Sequence, residues 1–233
     1  MRLKMNKLNG LVKLIIGKDK EISEDITIGY LFFRGVPFAI GLCRGVLRSI
    51  GLKKHGKKLF IGNHVKLLCK QKMFFGSNVR IGNFVEIDAL SQNGVVLEDN
   101  VKLGDYSKII GSGSISHVGK GIRIGSNTSF SEYTFFGAAG GINIGSDIIS
   151  GQNVRFHAEN HNFSDTSIPI REQGVTHEGI KIGNDCWIGA GATFLDGAEI
   201  GNGCVVAANS LVNKKFPDNV VVGGVPARIL KVR

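Results

Sequence analysis

The 233-residue chain is short of cysteine, proline and long apolar runs, and each shortage excludes a class of protein. Its four cysteines form no metal-type C-x-x-C pair, so we expect them to remain thiols in a reducing compartment. Lysines interrupt the first apolar pieces and no cleavage site of small residues follows, which argues against a secretion signal and favours the cytoplasm. Only four prolines accompany 33 glycines, and residues 57–217 show almost no helical periodicity.

What the sequence does contain is a repeat of six residues. From Ile182 the chain reads IGNDCW, IGAGAT, FLDGAE, IGNGCV, VAANSL and VNKKFP, and each unit starts with Ile, Phe or Val. A period of six is too short for a helical hairpin and differs from the 3.6 residues of an amphipathic helix, so it predicts a solenoid of short strands and turns. Three units would close one triangular coil, and successive coils would stack at the ~4.8 Å spacing of paired strands.

Two other columns of the repeat agree with this geometry. The second column carries glycines, which we interpret as residues whose dihedral freedom a tight corner requires: Gly183, Gly189 and Gly201. In the first five units the fifth column holds only small residues, as expected at a crowded inside corner: Cys186, Ala192, Ala198, Cys204 and Ser210. The two cysteines of this column are one coil apart and should therefore stack as packed thiols.

Leading residues one coil apart should stack inside the solenoid, Ile182 with Ile200 and Phe194 with Val212. The same register recurs upstream with short interruptions, which a solenoid accommodates as loops on one edge. The upstream leading residues are Ile81, Ile87, Leu97, Leu103, Ile109, Ile115, Ile124, Phe130 and Phe136. We therefore assign residues 57–217 to one all-β coiled domain, after an N-terminal segment of residues 1–56 that is helical or membrane-bound and before a C-terminal extension of residues 218–233.

Several motifs together resemble one enzyme family. They are the repeat itself, NHNFSD at 160–165, GIKIGNDCWIGAGATFLDGAEIGNGCVVAANSLV at 179–212 and the ending VVVGGVPARILKV. This pattern resembles the hexapeptide-repeat acyltransferases, in particular the branch that O-acetylates sugars and polysaccharides, and the likeness is strongest from 144 to 233. The resemblance implies a left-handed parallel β-helix, acetyl-CoA as the donor, no metal, and a homotrimer with active sites between subunits.

The repeat breaks after His157, where VRFHAENHNFSD is followed by an irregular stretch at 164–179 that contains Pro169. A long loop on a regular solenoid is typical of a functional insertion, here a catalytic loop near 157–179. Acetyl transfer from a thioester to a sugar hydroxyl needs a base that takes the hydroxyl proton, and histidine titrates in the right range. The loop therefore supplies the candidates for catalysis.

By resemblance, the catalytic histidine is His161, in its N-H-x-F setting. His157 is the second candidate, against a structural role beside the preceding phenylalanine, and Asp165 would orient His161. Trp187, the only tryptophan, would line the acceptor or pantetheine site, against simple packing in a trimer interface. Amides of the coil at 185–189 would stabilise the oxyanion that direct attack creates.

Coenzyme A would bind along the C-terminal coils. A groove of small residues would admit the pantetheine arm next to the backbone: Gly189, Ala190, Ala207 and Ala208. Basic side chains would bind the phosphates: Lys214, Lys215 and Arg228. In the family the G-V-P-A-R motif, here within 223–228, lies near the adenine, and it also forms the turn that ends the solenoid.

The positive charge is concentrated at the front of the chain. Residues 1–72 hold 16 Lys and Arg against 4 Asp and Glu, whereas the remainder holds 13 against 15. Arginines interrupt the apolar segment 26–58, whose longest uncharged run, 35–43, has nine residues, whereas a spanning helix needs about 20. The segment predicts an amphipathic contact with an anionic membrane surface, a helical cap on the solenoid, or both. Its pattern is not typical of nucleic-acid binding.

Other functions on the same solenoid remain open. In a zinc carbonic anhydrase, His117, His157 and His161 would bind the metal, but the last two are four apart where that family uses five. A non-catalytic scaffold would leave the loop histidines without a role. Serine acetyltransferases carry a larger helical domain ahead of the repeat, and nucleotide-sugar N-acetyltransferases act on soluble substrates that do not require a basic front. An acceptor in surface polysaccharide or lipopolysaccharide at the inner membrane face accounts for the charge and the apolar segment together.

Overall fold

The computed structural model describes Ser23, residues 25–114 and residues 117–233. Predicted features that fall on residues 1–22 and on Ile115 lie outside this part of the chain. Within the described residues, one long α-helix is followed by many short strands.

The contacts divide the chain into two compact units, Met1–Ile40 and Gly41–Arg233. Helix α1, Ile28–Ser49, begins in the first unit and ends in the second. The sequence argument against a spanning helix rested on the charges that interrupt the segment, yet this 22-residue helix is long and apolar enough to cross a membrane by length and composition. Composition alone therefore does not exclude a span.

The second unit is a parallel β-helix, in which each strand of the coil pairs in parallel with the strand one coil further along. Among the described residues, the first sheet comprises β1 Lys54–His55, β4 Met73–Phe75, β7 Val95–Leu97, β10 Ile122–Ile124, β13 Ile142–Ile144, β18 Ile180–Ile182, β21 Glu199–Ile200 and β24 Lys215–Phe216. The second comprises β2 Phe60–Ile61, β5 Arg80–Ile81, β8 Lys102–Leu103, β11 Ser129–Phe130, β14 Ile149–Ser150, β19 Trp187–Ile188, β22 Val205–Val206, β25 Val220–Gly224 and the antiparallel β26 Ala227–Val232. The third comprises β3 Lys66–Leu68, β6 Glu86–Asp88, β9 Lys108–Ile110, β12 Phe135–Gly137, β15 Arg155–His157, β20 Thr193–Leu195 and β23 Leu211–Val212. Strands β16 Asn160–His161 and β17 Val175–Thr176 form a separate hairpin.

The interior of the coil is built from stacked leading residues, as the repeat predicts. Ile182 pairs in register with Ile200, and Phe194 with Val212, and all four are buried. Phe156 lies between two further rings, with centroids 4.7 Å and 5.1 Å away in consecutive coils. The small fifth-column residues are buried too, and both stacked cysteines are free thiols. Burial raises the pKa of the Cys186 thiol to about 11.

The second-column glycines serve a different purpose from the one predicted. Their backbone is not left-handed; instead, a Cβ on Gly183 would lie 2.7 Å from the backbone N of Asn202 in the next coil. The left-handed residue is the fourth of each of the first five units, at Asp185, Gly191, Gly197, Gly203 and Asn209. The interpretation in terms of dihedral freedom was therefore wrong for this column, because close contact between coils is what excludes a side chain there.

In the upstream coils, the left-handed position of one corner carries aromatic residues instead of glycine or asparagine. Phe84, Tyr106 and Tyr133 have φ of 55°, 59° and 60°. Their rings stack on one another and on His64 with centroids 4.8 to 5.0 Å apart. Because a bulky residue in this conformation is strained, the ring stacking between coils offsets a local backbone cost.

The end of α1 covers the first coil. Gly41 and Gly45 are buried, and a Cβ on Gly45 would lie 1.8 Å from the carbonyl oxygen of Leu59. Arg44 donates to the Ile61 carbonyl at 2.7 Å, and Arg48 donates to a carbonyl of the same coil. The last turns of the helix therefore act as a cap on the open end of the solenoid.

We predict that Gly183→Ala destabilises the protein by about 1–3 kcal/mol, because its methyl group would push two coils apart. The free energy of unfolding in urea measures this effect. Gly113→Ala is the matched control, since its methyl group would meet only a Glu159 side-chain oxygen at 3.8 Å. Equal stability of Gly183→Ala and wild type would contradict the close contact between coils.

Candidate active site

Two insertions leave the solenoid at the same corner, between the third sheet and the first. Partners Ile142 and Ile180 are 38 residues apart where Ile182 and Ile200 are 18 apart, so the long loop adds 20 residues. A shorter insertion of nine residues precedes Ile122. Between the two insertions lies a cleft of about 330 Å³, lined by Ile110, Gly113, Phe135, Gly137, Ala138, Ala139, His157, Ala158, Glu159 and His161. The structure thus brings both candidate histidines to one cleft.

His157 ends strand β15 and is half-buried. Its ring lies 5.4 Å from that of Phe135, centroid to centroid. Burial, and to a smaller degree the charge of Arg155, lowers the pKa of His157 below its usual value. The imidazole is therefore neutral near pH 7 and packed against an aromatic wall.

His161 lies in a different setting, on the exposed hairpin formed by β16 and β17. It pairs with Val175 across the hairpin, and the adjacent Asn162 donates from its side chain to the Gln173 carbonyl at 3.0 Å. No side chain in the described part of the chain hydrogen-bonds the His161 ring. The hairpin therefore presents an imidazole that is open to a substrate in the cleft.

A hydrogen bond between two side chains closes the base of the long loop. Glu159 Oε2 lies 2.7 Å from His177 Nε2, so the residues just before and just after the hairpin are joined. Lys120 adds a second contact by donating to the His177 carbonyl at 2.8 Å. The sequence analysis missed both Glu159 and His177, because a contact between residues 18 apart across an irregular loop leaves no periodic signal.

Asp196 holds the returning limb of the loop. It is only 7% exposed, and its carboxylate accepts from the backbone N–H of Gly179 at 2.7 Å, from that of Glu178 at 3.0 Å and from the Thr176 hydroxyl at 3.3 Å. The sequence analysis missed this residue as well. A signal was present, since Asp196 is the only acid in the third column of the repeat, where the other units carry Asn, Ala or Lys.

Two further predicted residues, Asp165 and His117, are not among the residues that line the cleft. The carboxylate of Asp165 accepts from the Ser167 backbone at 2.9 Å and from its hydroxyl at 2.6 Å, which lowers the pKa of Asp165. No described hydrogen bond joins it to His161, and its orienting role stays a prediction. Within a single chain, His117 and the loop histidines are not gathered into a metal-binding group, since no group of three His, Cys, Asp or Glu side chains suited to a metal occurs among the described residues.

The expected oxyanion donors at 185–189 are already paired. The amides of Asp185, Trp187 and Gly189 donate to carbonyls of adjoining coils at 3.0, 2.9 and 2.7 Å. Because these bonds hold the solenoid together, the oxyanion donor is not among these three amides. Trp187 itself is 56% exposed and pairs in register with the exposed Ile149 of the preceding coil.

The residues predicted to bind coenzyme A fall at two corners on either side of the third sheet. The small ones line the corner between the second and third sheets, where a Cβ on Gly189 would meet the Ala208 nitrogen at 2.4 Å. Ala190 and Ala207 lie in the same corner, and Arg228 lies beside it, opposite Gly223 in the terminal hairpin. The two lysines lie at the corner from which the long loop emerges: Lys214, 5.5 Å from the Phe216 ring, and Lys215, 3.4 Å from Glu199.

Comparison with known proteins identifies the family. The model of the bacterial transferase hexapeptide (six repeats) matches residues 179–214. The chain is 31% identical over 157 residues to the putative lipopolysaccharide biosynthesis O-acetyl transferase WbbJ of Escherichia coli K12. The aligned region covers 67% of this chain and 70% of WbbJ. It is also 31% identical over 121 residues to the galactoside O-acetyltransferase of the same organism. That aligned region covers 51% of this chain and 55% of the galactoside O-acetyltransferase.

A solved structure supports the fold. A single-site mutant of AntD, an N-acyltransferase from Bacillus cereus in complex with dTDP-4-amino-4,6-dideoxyglucose and coenzyme A, aligns with a TM-score of 0.54 at 22% identity, covering 82% of this chain and 89% of that one. The repeat predicted a coil of short strands, and the fold is the left-handed parallel β-helix that the resemblance implied. The chain therefore belongs to the hexapeptide-repeat transferases, and it is an acyltransferase that uses acetyl-CoA as its donor.

Proposed function

We propose that the protein is a cytoplasmic O-acetyltransferase that moves the acetyl group of acetyl-CoA to a hydroxyl of a sugar in surface polysaccharide or lipopolysaccharide biosynthesis. The observation that carries this proposal is His161, an exposed imidazole on an anchored hairpin that lines the cleft of a hexapeptide-repeat transferase. Both O-acetyltransferases described above share more than 30% identity with this chain, and one is named for lipopolysaccharide biosynthesis.

In this proposal His161 is the general base. A nitrogen of its ring takes the proton of the sugar hydroxyl as the oxygen attacks the thioester carbonyl carbon, and a tetrahedral intermediate forms. When the intermediate collapses, the C–S bond breaks and the His161 imidazolium returns the proton to the departing thiolate. The products are the O-acetyl sugar and coenzyme A, so no metal or second proton carrier is required. His157, neutral and packed on Phe135, forms part of the wall of the cleft.

The alternative acceptor is the amine of a nucleotide-linked amino sugar. AntD acts as an N-acyltransferase and was crystallised with such a sugar, but its 22% identity bears on the fold alone. An amine is a stronger nucleophile than a hydroxyl, and acetylation of an amine depends less on a general base. The two acceptors therefore differ in how strongly they need His161.

We further propose a homotrimer with the acceptor and donor bound between subunits. The exposed pair Ile149 and Trp187 supports this, since the two apolar side chains lie in register on adjacent strands and are 58% and 56% exposed in the single chain. An apolar patch of this kind is typical of a surface covered by another chain. The small corner at Gly189 lies directly after Trp187, so the proposed pantetheine groove would run beside that contact.

We predict that His161→Ala lowers kcat for acetyl transfer to a sugar hydroxyl by about 10²- to 10⁴-fold, the usual contribution of a general base. Release of coenzyme A from acetyl-CoA in the presence of candidate sugars measures the rate. His55→Ala, in the first coil, is the matched control and should retain the wild-type rate, because His55 is exposed and remote from the cleft.

A wild-type rate in His161→Ala on a hydroxyl acceptor would remove His161 as the base. Transfer to an amino sugar but to no hydroxyl would instead overturn the O-acetyltransferase proposal in favour of N-acetylation. Mass spectrometry before and after mild alkali distinguishes the two products, because alkali removes the acetyl group from an ester and leaves an amide intact.

We also predict that Asp196→Asn lowers kcat/KM for the sugar at least about 10-fold while leaving the Kd of coenzyme A unchanged. The amide can accept only one of the two backbone N–H groups well, so the returning limb of the loop loses part of its anchor. Asp105→Asn is the control, because its carboxylate also accepts a backbone N–H, from Asn83, but at another corner. A loss of coenzyme A affinity equal to the loss in kcat/KM would show that Asp196 supports the fold rather than the loop.

A further inference from the structure

The helix α1 exposes a continuous face without any charge. Helix positions advance by about 100° per residue, so residues three and four apart share one side. In the unit Gly41–Arg233, this side carries Cys43, Val46, Leu47 and the adjoining Ile50, all exposed, with Val46 at 72%. In the first unit, the same helical positions carry Ile28, Gly29, Phe32, Phe33, Val36, Ala39 and Ile40.

These residues, defined here as the apolar stripe, are exposed to an unusual degree. Phe33 is 80% exposed, and every residue of the stripe falls in the exposed class. The opposite side of the helix contains the buried Gly41 and Gly45 and the less exposed Leu31 and Leu42. A soluble protein rarely leaves a patch of this size uncovered, so the stripe points to a partner.

The charge around the stripe identifies the chemistry of that partner. Between Ile26 and Val85 the sequence contains eleven Lys and Arg and no Asp or Glu. Immediately after the helix the basic residues are exposed: Lys53, Lys54, Lys57 and Lys58. This arrangement would repel the same surface of a second copy of the chain and attract an anionic surface. An apolar face flanked by basic residues is the pattern of a helix that lies in the interface of an anionic bilayer.

The packing of the helix end favours lying on the membrane over crossing it. Nine residues, Gly41–Ser49, are fixed on the solenoid by Gly41, Gly45 and the bonds of Arg44 and Arg48. The remaining 13 residues of α1 would span only ~20 Å at 1.5 Å per residue, less than the ~30 Å of a bilayer core. The part of α1 that is free of these contacts is therefore too short to cross a bilayer by itself.

We propose that the apolar stripe of α1 and the adjoining lysines bind the protein peripherally to an anionic lipid bilayer, which corresponds to the inner face of the cytoplasmic membrane. The helix lies in the interface with the stripe among the acyl chains and the lysines at the headgroups. This proposal does not depend on the identity of the acceptor, but it brings the cleft to a membrane on which lipid-linked glycans are assembled.

Sedimentation of the full chain with vesicles tests the proposal. We expect binding to vesicles of phosphatidylglycerol and phosphatidylcholine in a 1:1 ratio, and at least ~10-fold weaker binding to phosphatidylcholine alone. Raising NaCl from about 0.05 to 0.5 M should weaken binding to the anionic vesicles, because the added salt screens the lysines. A wash with alkaline carbonate should release the bound protein, whereas retention would show a spanning helix and overturn the peripheral arrangement.

Matched variants locate the contact. Val46→Glu combined with Phe33→Glu should reduce vesicle binding at least ~10-fold, whereas Val232→Glu, at a valine that is 73% exposed in the terminal strand, should leave it unchanged. Equal binding of all variants, or no binding of wild type to anionic vesicles, would overturn the proposal. Sedimentation velocity without lipid tests whether a second copy of the chain covers the apolar stripe instead. If wild type does not bind vesicles and Val46→Glu loses an oligomer that wild type forms, the stripe is a contact between chains.

Activity on a soluble acceptor separates this proposal from the function. The double variant should transfer acetyl groups to a soluble sugar at the wild-type rate while failing to bind vesicles. Vesicle binding by an inactive wild type would contradict the proposed enzymatic function and leave the membrane contact intact.

Discussion

The structure depends on the close approach of successive coils. Each residue of the repeat lies directly above the residue at the same position in the next coil. The residues that share one position must therefore fit against one another. Apolar leading residues satisfy this by stacking inside, and the glycines of the second column satisfy it by having no side chain, since a Cβ on Gly183 would reach 2.7 Å from the next backbone. The aromatic corner shows the same rule on the surface, where stacked rings at Phe84, Tyr106 and Tyr133 offset a left-handed backbone.

The stacking of equivalent residues also explains which parts of the fold can carry reacting groups. A regular coil has its amides paired with its neighbours, as at Trp187 and Gly189, so the wall itself offers few free groups. Irregular segments are therefore where the proposed reacting side chain lies, and the two insertions emerge at one corner on either side of a cleft. The hydrogen bond between Glu159 and His177 and the carboxylate of Asp196 then tie the long loop back to the rigid coil.

The sequence predicted the features that repeat and missed those that do not. The coil, its stacked residues such as Ile182 and Ile200, and the loop of about twenty residues all followed from the period and its interruption. Glu159 and His177 could not be paired from the sequence, because their contact depends on the path of a loop with no period. The second-column glycines were located correctly but for the wrong reason, since the distance between coils is a property of the fold and not of a single unit.

The two sides of helix α1 have different environments: one side packs on the first coil and the other is exposed. A solenoid end must be covered, and small residues at Gly41 and Gly45 let the helix backbone approach the first coil closely enough to do so. Covering the coil uses only one side of the helix, so a polar opposite side would have been sufficient for solubility. The chain instead carries apolar residues such as Phe33 and Val46 there, and it places lysines rather than acids beside them. Because a cap alone does not require that pattern, the exposed side of the helix is best explained by a second surface that it contacts.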